Sequence, residues 1–241
     1  MHVTSLYGIP VRVHASYLGL FAFFGLWGAW QAGLVGVFAA MLGLTMLTVS
    51  VVLHELGHAL AARSFGIATA AITLYPWGGV AAIEDMPEEP DEELVIALAG
   101  PAVNFVLAAI TGGLWLLTGF GPFGAMAMMN GGMGAFNLIP AFPMDGGRVL
   151  RALLAKRMGF LPASRLAVRV GRVFAWVFIA FGLLRFWPSL VLMGAFLLVA
   201  LHQERERLIG LTWQKARGSR PPWDPDLRSI SPHFRYPGPL S

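Results

Sequence analysis

Three residues of the run His54-Glu55-Leu56-Gly57-His58 have side chains suited to metal chemistry. In a helix, residues four apart lie one turn from each other on the same face. Two neutral imidazoles at that spacing can grip one divalent cation, and the glutamate between them is placed to take a proton from a water. Two ligands are too few, because a catalytic zinc site generally uses three protein ligands and keeps one position open. The chain has no cysteine, which excludes thiolate ligands, disulfides and thiol nucleophiles. Outside an acidic run (Glu84 to Glu93) and the C-terminal tail, one further carboxylate falls within the apolar spans, Asp145. It sits in Asn137-Leu-Ile-Pro140-Ala-Phe-Pro143-Met-Asp145-Gly-Gly-Arg148. The two prolines break a helix there. A broken helix at membrane depth is tolerated only where it is buried or lines a wet cavity. Asp145 is therefore a natural third ligand, with capping of the helix that begins near Gly146 as its ordinary alternative.

The setting of these residues is unusual. His54, Glu55 and His58 interrupt an apolar run from about Leu34 to Ala62, and about 20 such residues cross a bilayer core as a helix. Ionisable groups at that depth cost several kcal/mol unless paired, wetted or bound. Composition agrees: 56% of residues are hydrophobic and 12% are charged, against about 25% charged in soluble chains. The net charge of +4 comes from arginines flanking apolar spans. No basic stripe interleaved with aromatics marks a nucleic-acid surface. The first ten residues carry no cleavable signal pattern.

Six apolar spans are expected: Ala15 to Trp30, Leu34 to Arg63, Leu94 to Leu117, a broken span from Phe123 to Leu154, Leu166 to Leu184, and Trp187 to Leu201. Basic residues gather on one side of them. Arg12, Arg63, the group from Arg148 to Arg172, and Arg205, Arg207, Lys215, Arg217 and Arg220 alternate with connections holding only Arg185. The positive-inside rule then puts both termini in the cytoplasm of a multi-pass cell-membrane protein. His54 lies on the order of 14 Å below the end marked by Arg63, at 1.5 Å per residue, so the site opens toward the cytoplasm.

The fold class expected is an all-α integral membrane protein with short β segments. Val3 to Val13 and Ile67 to Ile83 hold β-branched residues around turn signals and read as strands or hairpins. The Gly78-Gly79 pair suits a tight turn or a close backbone approach. Glu84 to Glu93 reads as a solvated loop. Residues 1–205 form the membrane domain. The remainder, 206–241, is a cytoplasmic tail, helical to about Ala216 and then proline-rich and irregular.

His54-Glu55-Leu-Gly-His58 followed by Asn137-x-x-Pro140-x-x-Pro143-x-Asp145-Gly146 resembles the site-2 protease family of intramembrane zinc metalloproteases. Ala99-Gly100-Pro101-Ala-Val-Asn104 and Leu74-Tyr-Pro-Trp-Gly78-Gly79-Val80 are similar to two further family signatures, and the resemblance covers roughly residues 5 to 205. It implies one Zn2+ per chain held by His54, His58 and Asp145, with Glu55 as general base. It also implies a membrane-anchored protein substrate, contacted by Asn137 and, less directly, by Asn104, Gly78 and Gly79. Asparagines also join membrane helices by hydrogen bonding, an alternative role for Asn104 and Asn137. Neither a PDZ domain nor a CBS pair is evident. A metal transporter and an inactive scaffold are the competing functions. Partners beyond substrate and bilayer include no nucleic acid, and a homo-oligomer remains open.

Overall fold

The structure, a computed structural model, describes residues 2–76, 78–83 and 89–218. Its element order is β1 (His2–Leu6), β2 (Ile9–Val13), α1 (Ala15–Ser64), β3 (Thr69–Tyr75), β4 (Gly78–Ile83), α2 (Pro90–Thr118), α3 (Gly121–Asn137), α4 (Asp145–Met158), α5 (Phe160–Leu184) and α6 (Pro188–Gly218). The protein is mostly helical with one small sheet. Among the described residues, three helices, α1, α2 and α5, are long and apolar enough to cross a membrane.

The 50-residue α1 is two helices joined at a break. Ala32 and Gly33 leave helical geometry, Gly33 at φ +57°, a conformation that glycine adopts without steric cost. The second leg then folds back along the first. Tyr17 Oη and Thr48 Oγ1 hydrogen bond at 2.7 Å, and Gly28 and Gly36 bring their backbones into direct contact. The two legs coincide with the first two apolar spans of the sequence, and the break lies at Ala32 and Gly33. Lipid is the natural neighbour of the outer faces, where Leu26, Trp30, Leu34 and Phe38 are exposed.

The two expected β segments join into one four-stranded sheet in the order β1-β2-β3-β4. A turn at Tyr7 and Gly8, both with positive φ, closes the antiparallel β1–β2 hairpin. β2 pairs parallel with β3, Val11 opposite Ile72 and Val13 opposite Leu74. The crossover between them is the whole of α1. β3 and β4 are antiparallel, Ile72 opposite Ala81 and Leu74 opposite Gly79. One face of the sheet packs on the second leg of α1 through Ile9, Ile72, Leu56 and Ala59.

The span expected to be broken is divided into α3, a loop at 138–144 and α4. Ala141, Phe142 and Met144 of that loop are buried with Ala167, Val168 and Ala175 of α5 and Leu197, Leu201 and Leu208 of α6. The Phe142–Pro143 peptide is cis.

The acidic run requires a correction. Residues 84–88 lie outside the described residues, and Glu93 is not in a solvated loop. It lies in the first turn of α2 and is 2% exposed. Arg151 of α4 meets it with Nε at 2.9 Å and also with Nη2. The same guanidinium donates from Nη1 to Glu204 of α6 at 3.0 Å and lies about 5 Å from the ring centres of Phe142 and Phe160. Buried charge is tolerated when it is paired this fully. The network fixes α4 against α2 and α6. The helical stretch expected beyond His202 continues α6, and the proline-rich tail lies outside the described residues.

Candidate metal centre

The second leg of α1 presents His54 and His58 one turn apart, as their spacing requires. Their Nε2 atoms are 3.1 Å from each other, and Asp145 Oδ2 is 3.2 Å from each. All three residues are buried. Asp145 is the first residue of α4; the N-cap is Met144, and no side chain caps this helix. The capping alternative is therefore not the role that the fold gives Asp145. The 138–144 loop turns back on itself through Met144 N–H to Ala141 O and Gly147 N–H to Met144 O. That turn aims Asp145 at the imidazoles.

Surrounding hydrogen bonds decide what these three atoms offer. His58 Nδ1 lies 2.7 Å from Ile96 O, a carbonyl that can only accept, so Nδ1 carries the proton. His54 Nδ1 lies 2.5 Å from Asn104 Oδ1. The orientation of that amide is set by a chain anchored on backbone carbonyls. Asn130 Nδ2 donates to Met126 O and to Ser50 Oγ, both at 3.0 Å, and Ser50 Oγ donates to Met46 O at 2.9 Å. Asn130 Oδ1 is left to accept from Asn104 Nδ2 at 2.9 Å, which turns Asn104 Oδ1 toward His54. Both Nδ1 atoms are donors, so both neutral rings hold a lone pair on Nε2. Two lone pairs and a carboxylate oxygen thus share a triangle with edges of 3.1–3.2 Å. Asp145 Oδ2 is buried without a hydrogen-bond partner. Such a cluster repels itself unless a cation sits among its members. Tetrahedral ligands about 2.0–2.1 Å from a zinc ion stand about 3.3 Å apart. The donor set and its spacing fit zinc.

Close packing of backbone makes room for the site. A Cβ at Gly100 of α2 would run into His58 Nε2 and stand 2.8 Å from His54 Cε1. Across the site, β4 crosses α1 at Gly79, where a Cβ would lie 2.7 Å from Glu55 Cγ and 2.8 Å from Val51 Cγ1. Two residues on, Ala81 N–H points away from β3 and donates to Glu55 Oε2 at 3.2 Å. The outer edge of β4 therefore lies against the glutamate.

The other residues singled out in the sequence fall in different places. Gly78, at φ +141°, pairs with Tyr75 where β4 begins; it serves the turn and has open space where a side chain would be. Asn137 is half-buried at the end of α3, where the chain leaves for the Asp145 loop. Asn104, for which the sequence offered a substrate contact or a helix-joining hydrogen bond, shows the second arrangement. It is 0% exposed and both ends of its amide are taken, by His54 and by Asn130. It joins α2 to α3 and holds a candidate metal ligand. Sequence reasoning missed Asn130 and Ser50. The signal was there: Asn130 is an amide in the middle of the apolar α3, and Ser50 stands four residues before His54 on the same face of α1.

The sequence profile of Peptidase family M50 matches residues 42–121 and 117–178, more than half of the chain. The chain belongs to this family. An M50 relative, a zinc metalloprotease from Methanocaldococcus jannaschii, is 38% identical over 82% of this chain and 58% of its own length. Stage IV sporulation protein FB from Bacillus subtilis is 31% identical over 56% of this chain and 48% of its own. The chain thus spans about half to three fifths of these relatives. Among solved structures, the site-2 protease from M. jannaschii superposes with a TM-score of 0.63 at 32% identity, covering 85% of this M50 chain and 94% of that one.

Proposed function

We propose that this M50 protein is an intramembrane zinc metalloendopeptidase. His54, His58 and Asp145 are its metal ligands, and Glu55 is its general base. The observation that carries the reading is the triangle of three lone-pair atoms, buried in an apolar bundle beside a glutamate that is not itself a member of it. A zinc ion held there would polarise a scissile carbonyl and lower the pKa of a water. Glu55 is held at Oε2 by Ala81 N–H, which leaves Oε1 to take the proton from the attacking water and pass it to the leaving amine. A helical substrate must unwind before its carbonyl is reachable. The outer edge of β4 lies beside Glu55 and suits an extended segment added as a further strand. Asn137, at the mouth of the Asp145 loop, is placed to donate to the substrate backbone or to a developing oxyanion.

The two legs of α1, then α2, the α3–α4 segment, α5 and α6 make six crossings, with both termini on the cytoplasmic side. The substrate class that suits this placement is the transmembrane segment of a membrane-anchored protein. The test is Glu55→Gln in cells that co-express a single-span reporter. A protease keeps its bound metal and loses cleavage by about 10²-fold or more. A transporter would instead change metal flux, and an inactive scaffold would leave the reporter uncut by either protein.

A further inference from the structure

The α5–α6 hairpin carries a second cluster of like charge, away from the metal centre. Arg165, Arg169 and Arg172 stand at i, i+4 and i+7 on one face of α5, and Arg205 joins them from α6. Together with Val168 and Leu208 they line an open cleft of about 210 Å3. Its lining holds no carboxylate, and none of the four guanidiniums forms an ion pair among the described residues. The floor is built firmly, since Val168 and Leu208 are both 4% exposed and belong to the core that buries Phe142 and Met144.

Depth makes the cluster unusual. The uncharged stretch of α5 from Val173 to Leu184 is twelve residues, about 18 Å of helix, well short of a hydrocarbon core of about 30 Å. Counting back from Leu184, about 20 residues are needed for a crossing, which reaches Arg165. Arg169 and Arg172 therefore fall below the surface unless their side chains rise to it or the bilayer thins around them. Four planar forks around one cleft with an apolar floor match a phosphate oxygen set above acyl chains.

Given the membrane placement proposed above, we infer that this cleft is a binding site for the phosphate headgroup of an anionic phospholipid from the cytoplasmic leaflet. The lipid supplies the counter-charge that the lining of the cleft lacks among the described residues. Its acyl chains lie on the exposed apolar surface of the hairpin, where Val173, Trp176 and Val177 face outward.

The test uses the full chain, purified in detergent, and mass spectrometry of retained lipid after exchange against phosphatidylglycerol or phosphatidylcholine. The wild type should retain phosphatidylglycerol near one per chain, and phosphatidylcholine should not replace it. Arg169→Gln with Arg172→Gln and Arg205→Gln should lower that retention by about tenfold or more, two or more charge-assisted contacts being lost. Arg12→Gln with Arg157→Gln, which lie outside the cleft, should leave retention unchanged. Equal loss in both variants would mean general surface charge and would overturn the site. So would equal retention of both lipids by the wild type, a result that needs no variant. Release of the lipid by millimolar inorganic phosphate would assign the cleft to a soluble anion instead. Flotation with neutral vesicles separates the two levels. A chain that floats but shows no headgroup preference loses only the lipid site; a chain that fails to float loses the membrane reading as well.

Discussion

Replacing Asn104 with leucine tests how the metal centre is organised. Leucine is close to asparagine in size but accepts no hydrogen bond. His54 Nδ1–H would lose its 2.5 Å partner and Asn130 Oδ1 would lose its 2.9 Å donor, both in a fully buried place. Each orphaned group costs about 1–3 kcal/mol. The His54 ring can recover part of that by moving its proton to Nε2, but Nε2 is then no longer a ligand. Either way metal binding suffers. Loss of such a partner lowers metal affinity by about 10- to 100-fold, which is about 1.4–2.7 kcal/mol. The assay is zinc competition against a chromophoric chelator in detergent, with far-ultraviolet circular dichroism confirming that helix content is unchanged. An affinity within about twofold of wild type, for a variant that remains folded, would refute the claim that this amide fixes the tautomer of His54.

Other substitutions probe different parts of the site. Gly100→Ala puts a Cβ into both imidazoles and should abolish stoichiometric zinc, read by inductively coupled plasma mass spectrometry. Gly79→Val should leave zinc in place but push β4 away from Glu55, lowering reporter cleavage by about 10²-fold. Arg151→Met leaves Glu93 buried without its principal partner and should destabilise the protein by about 3–5 kcal/mol, measured as a lower thermal midpoint in detergent. Removing the metal with a chelator should lower the same midpoint in the parent protein, by an amount equivalent to about 2.7 kcal/mol if free zinc had stood at 100 times its Kd. In Asp145→Ala the chelator should have no further effect.

Local sequence carried the positions of the helices well, because runs such as Leu34 to Ala62 are apolar enough to read without their neighbours. His54, His58 and Asp145 were legible for the same reason: polar groups in such runs require a partner. The strands were legible as strands, but their assembly was not. Nothing local to Val11 or Ile72 announces a parallel pairing across sixty residues; β2 and β3 meet through the packing of Ile9 and Ile72 on Leu56 and Ala59. Glu93 was misread because a run of acidic residues beside Pro90 resembles a solvated loop until Arg151, fifty-eight positions later, comes to meet it. Asn104 kept two readings, a substrate contact through the resemblance and a helix-joining hydrogen bond, because an amide in a membrane helix can bond along several directions. Only the positions of Asn130 and Ser50 select one of them.

The parallel pairing of β2 with β3 sets an order on assembly. β2 leaves the ribosome before either leg of α1, and β3 after both, so the ladder between them cannot zip until the complete helical hairpin of α1 has been made. β4 hangs on β3, and Glu55 takes its backbone hydrogen bond from β4. On the function proposed above, a nascent chain in which α1 is incomplete would have no β4 edge to offer a peptide and no backbone hydrogen bond on Glu55. Under the proposed function, cleavage is thereby withheld until α1 is complete and the sheet has closed on it.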